Sequence, residues 1–267
     1  MKNKRNFAWY VKIYFKIVTQ DIKTKMNYRA DFIISNFAQM FYHFSGFAAF
    51  WIIFQNFPSV AGWSYEEMLF FYGFSLIAYT PTQCLLDNNW SLRYHIYSGD
   101  FIKYCIRPIN TFFYYMSEVF DLKGFGQLAA GTAILTYAWI KLEIGFSFAI
   151  AVLLLLNLTA ASLFMAAILN LSAASTFWLT NSELLFLMVR FRDYARYPVT
   201  IFNEFLKFLF TFIIPMAFIS YYPSLTFLRA DEIPLLTWLC PLIGAVFFAV
   251  SYLVWVKGAK HYSGTGS

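Results

Sequence analysis

IGFSFAIAVLLLLNLTAASLFMAAILNLSAASTFWLTNS, residues 144–182, runs for 39 positions without an Asp, Glu, Lys or Arg. A helix that crosses a hydrocarbon core about 30 Å thick needs roughly 20 apolar residues, and this run exceeds that length. It decides the fold class, because alternating strands of about ten residues, as a membrane barrel would require, are far shorter and never so uniformly apolar. The rest of the chain agrees. Of its 267 residues 60% are hydrophobic and 13% charged, against about 25% charged in a soluble domain. Five further runs lack charge, at 32–65, 68–86, 124–140, 208–228 and 233–256.

The expected architecture is an all-α polytopic membrane protein forming one domain over 1–267, with six spans near 32–56, 67–86, 119–140, 145–169, 203–222 and 235–256. As a single straight helix the 144–182 run would extend about 58 Å, so it holds either a second crossing near 171–189 or a bend. The charges favour the bend. A crossing there would put Arg190, Arg192 and Arg196 on the side away from most other cations. The stretch 170–198, NLSAASTFWLTNSELLFLMVRFRDYARYP, therefore reads as a span end, a polar bend and an interfacial segment over 171–200 that returns along the cytoplasmic side.

Orientation follows from the same rule. With both termini cytoplasmic, sixteen of the 20 lysines and arginines fall on inside segments, including Arg93, Lys103 and Arg107 in the second-to-third loop. Only Lys141 and Arg229 fall outside, as the positive-inside bias requires. The pI of about 9.1 thus reports orientation and contact with anionic lipid, not nucleic acid. Residues 1–30 carry eight cations with the rest of the leading segment, yet Phe7, Val11, Tyr14, Val18 and Ile22 recur at helical spacing. That pattern predicts a basic amphipathic helix lying on the membrane surface. Lys12 and Lys16 interrupt any signal-peptide core.

Several chemistries find no support. There is no GxxxxGK[ST] loop, and the nearest glycine cluster, GFGQLAAG at 124–131, lacks the lysine that would reach a nucleotide phosphate. The terminal GTGS has no following helix. His43, His95 and His261 form no HExxH pair, and Cys84, Cys105 and Cys240 have no metal spacing, so no metal site and no catalytic residue is expected. Charges at span edges, Glu118, Asp121, Lys123, Glu204 and Lys207, either pair at the interface or couple to an ion. Pro81, Pro215 and Pro241 are expected to kink the second, fifth and sixth spans.

Five stretches carry a family resemblance: GWSYEEMLFFYG (62–73), SGDFIKYCIRPIN (98–110), FWLTNSE (177–183), RYPVTIFNEFLKFLFTFIIPMAFISYYPS (196–224) and YSGTGS (262–267). In order and spacing they resemble the type-2 ABC exporter permeases, in the bacterial branch whose six-span subunits work in pairs beside a separate ATPase. The second loop is similar to that branch's G-x-(L/F)-(D/I)-x-x-(L/I)-x-R-P pattern through Gly99, Phe101, Arg107 and Pro108, while Asp100 and Lys103 occupy more variable positions. Tyr197, Pro198, Pro215, Tyr222 and Pro223 match the fifth-span tract.

The resemblance implies a permease subunit in the bacterial cytoplasmic membrane. It would export a hydrophobic or amphiphilic substrate, drugs and antibiotics among the candidates, driven by an ABC ATPase dimer that holds the ATP and Mg and leaves no cofactor on this chain. A second permease, a sister chain or a second copy, would complete the path. The loop over 87–112 would be the coupling element, with Gly99, Asp100, Phe101, Lys103, Tyr104, Arg107 and Pro108 receiving the ATPase stroke. Its sequence reads as one short helix over 91–104, broken by Pro108. The second and fifth spans would line the path. Phe205, Phe208, Phe212 and Met216 form a stripe on the fifth, and Phe71, Phe74 and Tyr79 face them from the second. Such stripes are otherwise packing surfaces. The competing readings are an ion-coupled secondary transporter, which predicts inverted repeats and midplane carboxylates, a lipid-modifying enzyme, which needs clustered catalytic groups, and a non-transporting scaffold or sensor subunit.

Overall fold

The computed structural model describes residues 6–27, 29–179, 182–229 and 233–263. Lys2, Lys4, Arg5, Thr180, Asn181 and the 264–267 tail, all used above, lie outside them. The described residues are mostly helical, with no strand among them. The order is α1 (Phe7–Met26), α2 (Arg29–Asn56), α3 (Tyr65–Leu86), α4 (Asn89–Tyr97), α5 (Ile102–Cys105), α6 (Thr111–Ser117), α7 (Lys123–Lys141), α8 (Phe148–Ala174), α9 (Leu184–Arg192), α10 (Glu204–Phe208), α11 (Tyr221–Leu228) and α12 (Leu235–His261). Among the described residues, four helical stretches are long and apolar enough to cross a membrane: 33–56, 65–97, 148–177 and 235–261.

The centre is α3, buried nearly all round. Ser64 and Glu67 form a reciprocal capping box that starts it, satisfying two backbone donors that would otherwise be orphaned. α7 runs antiparallel against it through two facing glycines. A Cβ on Gly73 would lie 2.7 Å from the Leu135 backbone nitrogen, and one on Gly131 would lie 2.9 Å from Leu76 Cβ. Small residues let the two backbones approach, which is how helices associate where hydrophobic burial gives no net drive. α8 and α12 run parallel to each other under the same rule, with Gly244 set against the Ala160 backbone and Asn170 donating to Ser251 Oγ at 3.3 Å. Pro81 and Pro241 sit inside continuous helices. Of the three prolines, only Pro215 stands where helix gives way.

α1 spans Phe7–Met26. Asn6 caps it, and Tyr10 packs on Phe113 at 4.9 Å. Near its end the Asp21 carboxylate accepts from the Phe120 amide at 3.0 Å, and Lys25 donates to the Phe120 carbonyl at 2.8 Å. Phe7 and Phe15 remain exposed on the other side.

Two expectations are corrected. The 171–200 segment does not lie across one end of the molecule. α8 continues to Ala174, and residues 183–200 then run antiparallel along the whole of α3. Glu183 pairs with Arg93, Phe186 meets Trp90 at 5.4 Å, Arg192 covers the Tyr79 ring at 4.4 Å, Arg196 lies 5.8 Å from the Tyr72 ring, and Thr200 accepts from Trp63 Nε1 at 2.8 Å. Arginines that read as a surface loop are instead folded inward, because two tyrosines of α3 offer them ring faces.

Residues 203–222 are not one helix either. α10 passes into a wide π-type turn over Leu209–Ile213, Ile214 leaves helical backbone before Pro215, and a 3-10 turn over Met216–Phe218 precedes α11. The residue before a proline is pushed out of the α region, and the break follows. This stretch is a hairpin with both ends beside Trp63. It dips until Phe210 reaches Tyr194 at 5.5 Å, passes Phe218 stacked on Phe164 at 5.1 Å, and returns to an Arg229–Glu67 ion pair.

Candidate functional site

The loop between α3 and α7 builds a compact knob at one end of the molecule. It holds three short helices, and two of them, α4 and α5, stand where a single helix was expected over 91–104. Gly99 has φ +81°, which only glycine adopts without cost, and it follows the last residues of α4 as a helix-terminating glycine should. The Ser98 amide still reaches the Tyr94 carbonyl at 2.8 Å, and the Phe101 amide reaches the His95 carbonyl at 3.0 Å. Asp100 accepts from Ser98 Oγ at 2.8 Å, which fixes the turn. Pro108 then separates α5 from α6.

What holds the knob is an aromatic cluster. Phe101 and Tyr104 are fully buried. The Phe101 ring meets Phe177 and Tyr262, both at 5.2 Å, and Trp255 at 5.9 Å. Tyr104 stands edge-on to Tyr115 at 4.7 Å. The Tyr115 hydroxyl donates to the Asn88 carbonyl at 2.9 Å, and Asn88 returns a bond to the Tyr115 carbonyl at 2.7 Å. The Tyr104 hydroxyl donates to the Glu118 carboxylate; burial, with that carboxylate beside it, pushes the tyrosine far above its ordinary pKa, so it remains a donor.

The seven expected coupling residues therefore divide. Phe101 anchors the knob to Phe177, just beyond α8, and to Trp255 of α12, while Tyr104 is buried within the knob against Tyr115. Gly99 shapes it. Asp100, Lys103, Arg107 and Pro108 are exposed on it, with Lys103 near Glu118 at 3.8 Å and Arg107 over the Tyr114 ring at 4.7 Å. Sequence reasoning missed part of the apolar surface here: Tyr94, Tyr97 and Ile106 are exposed, Ile106 at 76%, alongside the exposed Ile102. Helical spacing from Trp90, at 94 and 97, would have found the first two.

The aromatic path residues are not gathered into one channel within the chain. Phe71 and Phe74 are buried core, Phe71 against Trp63 at 5.1 Å and Phe74 stacked on Phe70 at 6.3 Å. Met216 is buried. Phe205, Phe208 and Phe212 are exposed on the hairpin. Tyr79 lines a small polar cavity with Tyr42, His43, Tyr72, Arg192, Asp193 and Arg196.

Among the span-edge charges, Lys207 pairs with Glu204 at 3.6 Å, and Asp121 accepts from Gln83 at 3.1 Å. The described residues contain no group of three or more His, Cys, Asp or Glu placed to hold a metal.

A family model described as ABC-2 family transporter protein matches residues 40–266, a range that includes the knob, the hairpin and the arginine-bearing segment. No curated protein and no solved structure matches.

Proposed function

From the premise that the chain belongs to the ABC-2 transporter family, we propose that it is the membrane-spanning permease subunit of an ABC exporter, driven at its knob by a separate ATPase dimer that carries ATP and Mg. The carrying observation is the knob's construction. A rigid aromatic root fixes it to α8 and α12, and its tip combines bare apolar side chains with charge. Ile102 and Ile106 flanked by Lys103 and Arg107 suit a protein partner, whose binding energy would concentrate in a few such anchors. A push on the tip would pass through Phe101 to Trp255 and Phe177 rather than dissipate in a loop.

Six crossings complete this reading: α2, α3, α7, α8, residues 183–200 and α12, with the 203–229 hairpin re-entering from the far side. Non-helical backbone is tolerated at membrane depth where protein covers it, as the Ser220 hydroxyl does by donating to the Ala195 carbonyl. The knob and the end of α12 share one end, which by the positive-inside rule is cytoplasmic in a bacterial inner membrane. α1 would lie on that surface through Phe7 and Phe15. A second permease would face Phe205, Phe208 and Phe212, giving a hydrophobic or amphiphilic cargo its aromatic wall.

Coexpression with an ABC ATPase and a sister permease tests this. The chain is expected to copurify with the ATPase and to support ATP turnover, and Arg107→Glu is expected to lower turnover at least tenfold without loss of inserted protein. Transport that needs only a proton gradient, with no ATPase bound, would contradict it.

A further inference from the structure

We propose that the cavity between α2, α3 and residues 192–196 binds the carboxylate head of a single-chain anionic amphiphile, with Arg196 as the recognising cation. The argument begins with charge. Arg192 pairs with Asp193 at 3.4 Å, and the same carboxylate accepts from the Tyr42 hydroxyl at 3.1 Å. Arg196 bonds only the Asp193 backbone carbonyl, through Nε at 2.9 Å, and otherwise lies near the rings of Tyr72 and Tyr197. Among the described residues no carboxylate is within ion-pair reach of it. One positive charge is therefore in excess at a site halfway along α3, where an uncompensated cation is costly.

A second donor belongs to a residue lining the same space, His43. His43 is 4% exposed. Gln39 Nε2 is a donor 3.2 Å from His43 Nε2, so that ring nitrogen accepts and Nδ1 carries the hydrogen. Nδ1 has no partner, although a buried donor without one is expensive. The Tyr72 hydroxyl is already committed to the His43 carbonyl at 3.0 Å. The backbone leaves room beside Arg196, since Gly46 packs where a Cβ would stand 3.2 Å from Arg196 Nη1.

Size and access select the ligand. The cavity holds about 30 Å³, room for a small head group such as a carboxylate. Its rim is formed by Tyr42 and Asp193, both partly exposed, beside Phe37, Phe41 and Phe44 on the open face of α2. A ligand arriving there comes with an apolar tail, not from water. That the amphiphile is cargo would rest on the permease reading; the site itself does not.

The purified full chain in nanodiscs, titrated with parinaric acid, its methyl ester and acetate, tests the site without any ATPase. Tryptophan-to-probe energy transfer is expected to show the acid bound about tenfold or more tighter than the ester, the worth of one charge-assisted hydrogen bond. Arg196→Gln is expected to reduce the acid to the ester's affinity, and Asp193→Asn, which removes the competing carboxylate, to tighten the acid alone. Acid and ester binding equally to the wild type would overturn the proposal, as would Asp193→Asn weakening the acid. So would retention of the preference by folded Arg196→Gln, or displacement of the acid by millimolar acetate. If Arg196→Gln fails to fold, the wild-type pair and Asp193→Asn still decide.

Discussion

α3 and its antiparallel companion, residues 183–200, run the same distance in opposite ways. α3 is a continuous helix whose backbone satisfies itself, capped at Ser64 and passing through Pro81 without breaking. The companion changes from α-helix to 3-10 turns at Asp193–Arg196 and Val199–Ile201 and borrows partners: Trp63 for Thr200, Ser220 for the Ala195 carbonyl, tyrosine faces for two arginines. The difference teaches where each can carry function. A self-sufficient helix serves as a frame, whereas a broken segment exposes polar groups to whatever fills the space beside it.

The comparison breaks most readily on the frame. Gly73→Leu forces a side chain into the α7 backbone at a 2.7 Å approach and is expected to cost about 3 kcal/mol, the upper range for overpacking, read as a fall in thermal unfolding temperature of the purified chain. An unchanged transition would mean that α3 and α7 do not pack this way. The tie between frame and hairpin is next. Glu67→Gln removes the carboxylate that Arg229 meets and is expected to cost about 1–2 kcal/mol as a lost charged hydrogen bond, with faster proteolysis of 203–229 as its local sign. Trp63→Phe keeps the ring but not the donor to Thr200, about 1 kcal/mol, and should free the outer end of the companion to hydrogen exchange. Lys207→Ala, which removes an exposed i,i+3 partner of Glu204, is expected to cost under about 0.5 kcal/mol; a larger loss would show that the hairpin charge has a partner beyond this chain.

The same contrast explains what the sequence could reveal. Runs at 32–65, 68–86, 124–140, 144–182 and 233–256 became α2, α3, α7, α8 and α12, because length and apolarity suffice for helices that satisfy their own backbone. The paths of 183–200 and 203–229 were misread because the signals of both stretches point elsewhere. Arg190, Arg192 and Arg196 read as surface charge, since the Tyr79 and Tyr72 rings that shelter two of them lie more than a hundred positions away. The apolar run at 208–228 reads as a span, yet Pro215 folds it into a hairpin. The knob was partly legible: Gly99 and Pro108 mark its corners locally. The role of Phe101 was not, since its burial depends on Phe177, Trp255 and Tyr262, brought in by the ends of two distant helices.

Force entering at the knob is the central claim, and crosslinking tests it directly. In a Cys105→Ser background, Ile106→Cys at the knob and Thr200→Cys at the opposite end are each coexpressed with the ATPase and treated with a short bifunctional maleimide. A covalent adduct with the ATPase is expected from position 106 and none from position 200. No adduct at 106, or one at 200, would contradict the account.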